Sequence, residues 1–351
     1  MIKTHELDST SLNESGKIIS GAFENIEGVI ILAEPYFLQP YFQEKIWGGT
    51  KLHDEFGYTL PSERTGECWA ISAHPHGPST VANGPYAGQT LIEVWRDHRA
   101  VFGDAKGDVF PLLTKILDAE ADLSVQVHPD DAYAAEHEHE LGKTECWYII
   151  AADPGAELIY GHNAKSEAEL ADMIHSEDWQ GLFRHVPVKA GDFFYVPSGT
   201  IHALGKGIMA LETQQSSDTT YRLYDYDRVD AKTGKKRELH IQQSIDTTTV
   251  PFVAPKLAIT SQQFGDSKVT TFVKAPYFTV YEWQVKGELE LTRQSAPYTL
   301  VSVLAGQGEI TVDGQSYPLA KGQHCLLPFA VKKWQLSGDL QIIASEPGKK
   351  A

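Results

Sequence analysis

The stretch Gly191-Asp192-Phe193-Phe194-Tyr195-Val196-Pro197-Ser198-Gly199-Thr200-Ile201-His202 constrains this chain more than any other, with the spacing G-x5-P-x-G-x2-H. It reads as an aromatic strand entering a Pro-Gly turn, with His202 on the returning strand. Glycines at 191 and 199 permit the tight backbone that such a hairpin needs. A lone histidine after a turn is ordinarily structural; at this spacing it reads as a ligand aimed into the interior of a small antiparallel β-barrel.

A second strand supplies partners. In Leu123-Ser124-Val125-Gln126-Val127-His128 the apolar residues take one face, and Ser124, Gln126 and His128 take the other. If another sheet covers the outer face, the polar three line the barrel interior. Gln126 and His128 then offer an amide oxygen and an imidazole nitrogen on one strand face. Glu145, at the start of the apolar strand 144–150, completes the set. Two neutral imidazoles, one carboxylate and one amide oxygen make a mixed N/O site that suits one Zn²⁺ per chain, or another first-row metal, and leaves room for water or substrate. His137 and His139, amid alternating charges, are expected on a solvated helix or loop, and His74 and His76 as plain loop histidines.

The remainder is organised for a two-domain β protein. At 351 residues the chain exceeds one small core. Residues 1–33 are polar and lack a persistent period, and are expected to be a mobile extension. From Glu34 aromatics and turns become dense. Thr90-Leu91-Ile92-Glu93 is a capping box, followed by Val94, Trp95, Val101 and Phe102 on one face. Ser166-Glu167-Ala168-Glu169 repeats the signature and opens a helix over 166–183. Short strands and turns fill most of the rest. A crossover near 240–255 leads to a second β domain, where Asp313-Gly314 marks a hairpin.

A formal net charge of -17 argues against general nucleic-acid binding, since phosphate neutralisation needs a basic surface. Three scattered cysteines point to a reducing, cytoplasmic setting rather than a disulfide framework. No signal peptide or membrane span is expected.

Taken together, Gly191–His202, Trp47-Gly48-Gly49, Gly66-Glu67-Cys68-Trp69, Phe110-Pro111-Leu112-Leu113-Thr114-Lys115, the Ser124–Asp130 strand and Glu212 through Arg222 resemble the type I mannose-6-phosphate isomerases, in their short bacterial form. The resemblance implies a mainly β fold of tandem cupin (jelly-roll) barrels with short helical insertions. Residues 34–250 would form the zinc-binding catalytic domain and 251–351 a second, metal-free one. It implies interconversion of mannose 6-phosphate and fructose 6-phosphate, with metal ligands at Gln126, His128, Glu145 and His202. Substrate-pocket residues fall on Ser124, Lys115, Lys143, Glu212, Asp218 and Arg222, with Trp47 in the first block. Longer members carry Asn-His-Lys-Pro-Glu where this chain reads Leu141-Gly142-Lys143-Thr144-Glu145, so no role of that histidine transfers. In the second domain Gly322–Pro328 keeps G-x5-P, but Ala330 and Lys333 stand where Gly and His would be.

Aldose–ketose isomerisation through a cis-enediolate needs an anion anchor, oxyanion stabilisation and a proton shuttle. Arg222 and Lys115 are the candidates for anionic oxygens, and Lys143 for acid/base work beside the metal. Asp218 and Glu212 are rival shuttles, or ion pairs bracing the barrel. Two other readings stand beside this one. Two histidines and a carboxylate also make an iron(II) oxygenase triad, and a barrel can keep a sugar-phosphate site as a non-catalytic sensor.

Overall fold

The computed structural model describes residues 22–24, 30–230 and 233–351. The expected mobile extension, 1–33, therefore lies largely outside the described residues; within it, Ala22–Glu24 pairs antiparallel with Ile30–Leu32.

Two antiparallel sheets face each other in the first barrel. One has six strands in the order Phe193–Val196, Glu145–Ala152, Ile208–Gln215, Leu112–Ala119, Thr65–Ile71 and Tyr41–Gly49. The other has five: Phe183–Pro187, Glu157–His162, His202–Leu204, Val125–Val127 and Tyr221–Tyr224. Buried residues of Leu112–Ala119 and Ile208–Gln215 occupy every position, as central strands covered on both faces require.

The turn at 197–199 is a corner, not a hairpin as the sequence pattern led us to expect. Phe193–Val196 pairs with Glu145–Ala152 in the larger sheet, whereas His202–Leu204 pairs with the Glu157–His162 and Val125–Val127 strands of the smaller. Gly199 makes the change of sheet possible: its φ is +82°, and a Cβ there would lie 2.4 Å from Thr249 Oγ1.

The outer face of the smaller sheet is also covered differently from the expectation of another sheet. Val125 and Val127 pack with Leu170, Ile174 and Leu182 of two short helices, and Ile241 and Ile245 of a third adjoin them. Those first two helices, Glu167–His175 and Trp179–Leu182, replace the single one expected over 166–183; Glu177 interrupts them in the left-handed region at φ 57°. Ser166 caps the first through the Glu169 amide. The Thr90–Glu93 capping box forms with both reciprocal bonds, but its α-helix stops at Asp97 and a 3₁₀ turn carries Val101 and Phe102.

The second barrel is a nine-stranded antiparallel sheet built on three long strands, Phe278–Thr292, Thr299–Val312 and Lys333–Pro347. Gly287 and Gly308 both pair with Gly338, a row without side chains across the three strands. Asp313 and Gly314, at φ 48° and 79°, turn Thr299–Val312 back onto Gln315–Ala320, as their dipeptide forecast. Tyr36–Gln39 and Thr80–Val81 extend this second sheet although they come early in the chain. The two barrels share one core, which runs from Ile116 and Cys146 to Phe272, Phe278 and Ile343. Phe193 and Phe272 stack across the join at 4.5 Å.

Gly199→Ala is expected to destabilise the protein by about 1–2 kcal/mol from the left-handed backbone alone. Chemical denaturation would measure it, and an unchanged midpoint would show that the corner relaxes freely.

Candidate metal centre and the cavity beside it

Pairing register dictates which side chains meet. Gln126 lies opposite His202 on one side and Arg222 on the other, so these three form a row across the smaller sheet. His128 follows the end of the same strand. Glu145 opens its strand in the facing sheet. The donors of His128, Glu145 and His202 all lie within 4.8 Å of one another. His128 Nε2 is 3.4 Å from Glu145 Oε2, and His202 Nε2 is 3.3 Å from Oε1. The Gln126 amide lies 3.3 Å from His202 Nε2 through its nitrogen, and a half-turn of the amide presents its oxygen instead.

These residues fit a divalent cation. Ligands at about 2.1 Å around a tetrahedral ion stand about 3.4 Å apart, the spacing found here. His202 Nδ1 donates to the Thr200 carbonyl at 2.8 Å, which leaves Nε2 as the lone-pair nitrogen. Both Glu145 oxygens and both His128 ring nitrogens are buried and lack a hydrogen-bond partner among the described residues. Orphaned buried acceptors converging on one point are costly unless a cation completes them. Burial, with Lys143 nearby, lowers His128 to about 3, so its ring is neutral and free to ligate. Burial pushes Glu145 up, but Lys143, His128 and His202 outweigh it and hold the carboxyl well below its ordinary range.

Beside this cluster is a cavity of about 80 Å³. It is lined by Trp47, Lys115, Ser124, Gln126, Lys143, Glu212, Asp218 and Arg222, all singled out in the sequence. Lys45, Glu67, Thr220 and Arg237 line it too, and sequence reasoning passed over them. Lys115 and Glu212 of its wall belong to a second row, Trp69, Lys115, Glu212 and Trp147, directly opposite one another on adjacent strands. Trp147 Nε1 donates to Glu212 at 2.9 Å, and Trp69 Nε1 donates to Glu67 at 2.6 Å. Lys115 sits between the two carboxylates, 3.7 Å from each, and over the Trp69 ring. Burial would raise Glu67, yet Lys115 and Lys45 bring it down to about 2. Burial and the neighbouring Glu145 move Glu212 the other way, well above its ordinary range. The signal for Glu67 was present: it sits two residues from Trp69, on the same strand face.

Arg222 differs from Lys115. It donates to Ser124 Oγ at 3.3 Å and to the Glu238 carbonyl at 2.9 Å, and among the described residues no carboxylate pairs with it. Arg237 is bound through two nitrogens to Asp225, which Arg228 shares. Asp225 is thus shared by two guanidiniums, while Arg222 beside them has no carboxylate partner among the described residues.

The rim holds a correction. Residues 134–140 were read as solvated, and His137 and His139 are indeed exposed, on and just beyond a helix at Asp131–His137. Glu140 is instead a clamp. Its Oε2 accepts from Ser217 Oγ at 3.0 Å, the Asp218 amide at 3.3 Å and Thr219 Oγ1 at 2.8 Å. Its Oε1 lies 3.6 Å from Nε2 of His74, a buried ring. His76, exposed, meets Asp218 through Nδ1 at 3.0 Å. Neither histidine is a bystander in a loop. Long-range contacts such as these leave no local periodicity.

Comparison with known proteins agrees with this architecture. The profile for the phosphomannose isomerase type I catalytic domain matches residues 36–178, and that for the mannose-6-phosphate isomerase cupin domain matches 268–347. A mannose-6-phosphate isomerase of Streptococcus mutans is 61% identical over 316 residues, covering 90% of this chain and 98% of that one. A mannose-6-phosphate isomerase of Bacillus subtilis is 55% identical over 313 residues, covering 89% and 98%. The crystal structure of a B. subtilis mannose 6-phosphate isomerase superposes with a TM-score of 0.86 at 54% identity, covering 89% of this chain and 99% of that one. The chain belongs to the type I mannose-6-phosphate isomerase family, and its fold is the mainly β cupin fold.

The Glu140 carboxyl is brought down from 4.5 to about 2, first by His74, with Thr219 and Ser217 adding to it against burial. A folded-state pKa below the unfolded one contributes stability above the unfolded value and loses it as pH falls through the folded one. Glu140→Gln should therefore melt below wild type near neutral pH, and the gap should close between pH 4.5 and 2. A gap independent of pH would show that the ionised clamp is not what the loop depends on.

Proposed function

We propose that this protein is a mannose-6-phosphate isomerase, catalysing reversible exchange with fructose 6-phosphate through a cis-enediolate at a zinc site. The observation that carries the reading is the juxtaposition of a buried His128–Glu145–His202 cluster with a cavity lined by Arg222, which no carboxylate pairs with among the described residues. In this reading residues 34–250 are the catalytic unit and 251–351 a metal-free one.

Gln126, His128, Glu145 and His202 would hold the zinc, which supplies Lewis acidity toward substrate oxygens. Arg222, with its fork partly used by Ser124 Oγ and Glu238 O, keeps donors for anionic oxygens. Arg237 and Ser124 border the same space. Lys115 is already neutralised by Glu67 and Glu212, so we give it the role of fixing those carboxylates rather than gripping phosphate alone. Lys143, 3.4 Å from Glu145, stands where a proton can be handed to an oxygen of the substrate. Asp218 and Glu212 border the cavity as carboxylates able to move a proton between neighbouring carbons. Trp47 closes the wall as an apolar surface for the sugar.

Metal analysis run beside a mannose 6-phosphate isomerisation assay, with and without chelator, tests the whole reading. Turnover that survives complete metal removal would overturn it. His202→Ala should lose metal and activity together. Arg222→Ala should retain metal while turnover falls by about two to three orders of magnitude, as expected when a charged oxyanion donor is removed; near-normal turnover would remove Arg222 from the mechanism.

A further inference from the structure

Lys143 and Glu145 lie on a segment, Gly142–Glu145, that belongs to the strand only from Glu145 onward. Its backbone is nonetheless fixed amide by amide. Gly142 N donates to Asp131 Oδ1 at 3.0 Å, Lys143 N to the Pro129 carbonyl at 3.0 Å, and Thr144 N to Gln215 Oε1 at 2.9 Å. Two of these three anchors converge on one residue, because Gln215 Nε2 in turn donates to Asp131 Oδ1 at 2.8 Å. Gly142 is required by the closeness of the contact: a Cβ there would stand 2.5 Å from the Asp131 backbone nitrogen. The other oxygen of Asp131 accepts from Tyr277 Oη at 2.7 Å. Tyr277 comes from the second barrel, next to Phe278, which is fully buried in the core the barrels share.

We propose that Tyr277 is a positioning residue through which the metal-free barrel sets the Lys143 ammonium and the Glu145 carboxylate, by way of Asp131, Gln215 and the amides of Gly142 and Thr144. The inference rests on the isomerase reading for its kinetic consequence only. The hydroxyl orients the Asp131 carboxylate so that its second oxygen faces both Gly142 N and Gln215 Nε2. Without it the carboxylate is free to rotate, and three hydrogen bonds loosen together. Misplacement of a catalytic group by about 1 Å can cost about a hundredfold in rate. A partner that orients a metal ligand from behind is typically worth about ten- to a hundredfold in metal affinity.

The test uses the full-length metal-loaded protein and the variants Tyr277→Phe, Asp131→Ala and their combination. Tyr277→Phe should speed hydrogen exchange at the Gly142 and Thr144 amides and weaken zinc retention against a competing chelator, by up to the roughly tenfold of a partner bonded directly to a ligand. It should lower kcat with KM for mannose 6-phosphate held within about twofold, the signature of lost positioning rather than lost binding. In the Asp131→Ala background the same substitution should change none of these further, since coupled residues do not add. Unchanged amide exchange in Tyr277→Phe, or fully additive effects in the double variant, overturns the proposal. Should the wild type lack isomerase activity, exchange and zinc retention still read the bracing, so the two failures are told apart. Should Asp131→Ala not fold, Asp131→Asn takes its place, and loss of the Tyr277 effect there supports the same path.

Discussion

The arrangement depends on one fully buried carboxylate. Glu145 lies within 3.3–3.4 Å of two imidazole nitrogens and an ammonium, and among the described residues neither of its oxygens has a hydrogen-bond partner. A charge in that position is tolerable only if cations surround it, and Lys143 alone answers one side. The ligand candidates come from opposite sheets: Glu145 from the six-stranded one, Gln126 and His202 from the five-stranded one. A cation bound there therefore cross-links the two walls of the barrel. Such a cross-link would depend on the distance between the sheets, the corner at Gly199 and the neutral rings of the histidines.

Charges around the cavity are sorted by the same logic. The Lys115 side is neutralised internally, one ammonium between two carboxylates, each held by an indole N–H. On the Arg222 side cations outnumber the carboxylates that touch them. An anionic group entering the cavity finds an attractive end and a balanced end, which orients it before any chemistry begins. An overall charge of -17 does not oppose this, because the field inside a cleft is set by its lining rather than by the sum over the surface.

How much of this was legible in the sequence follows from the range of each interaction. Strand alternation put Gln126 and His128 on one face, and spacing alone marked His202; both are local and both survive in the fold. What the local pattern missed is the partner of each strand. Gly191–His202 has the spacing of a hairpin, but its two strands pair with neighbours in different sheets. Leu123 belongs by alternation with Val125 and Val127, yet it precedes the strand and packs with Trp47 and Trp147 on the cavity side. Glu140 looked like a solvent charge, and its three hydrogen-bonding partners lie more than 70 residues away in sequence.

The two barrels differ in what fills them. In the second, Gly322 still turns at φ +86°, but Lys333 is exposed and pairs with Glu290 in place of a histidine aimed inward. Its interior is filled by a cluster that includes Trp283, Val303, Ile310 and Trp334. A filled barrel holds its sheets together by apolar contact and needs no cross-link, whereas the first gives up part of that contact to a polar hollow. The stability so lost must come from outside the hollow. The shared core adds apolar contact through Phe193 on Phe272, and Tyr148 meets both Glu282 and Gln341 across the join. The apolar filling of the second barrel and the polar cavity of the first thus stand side by side, joined through the core they share.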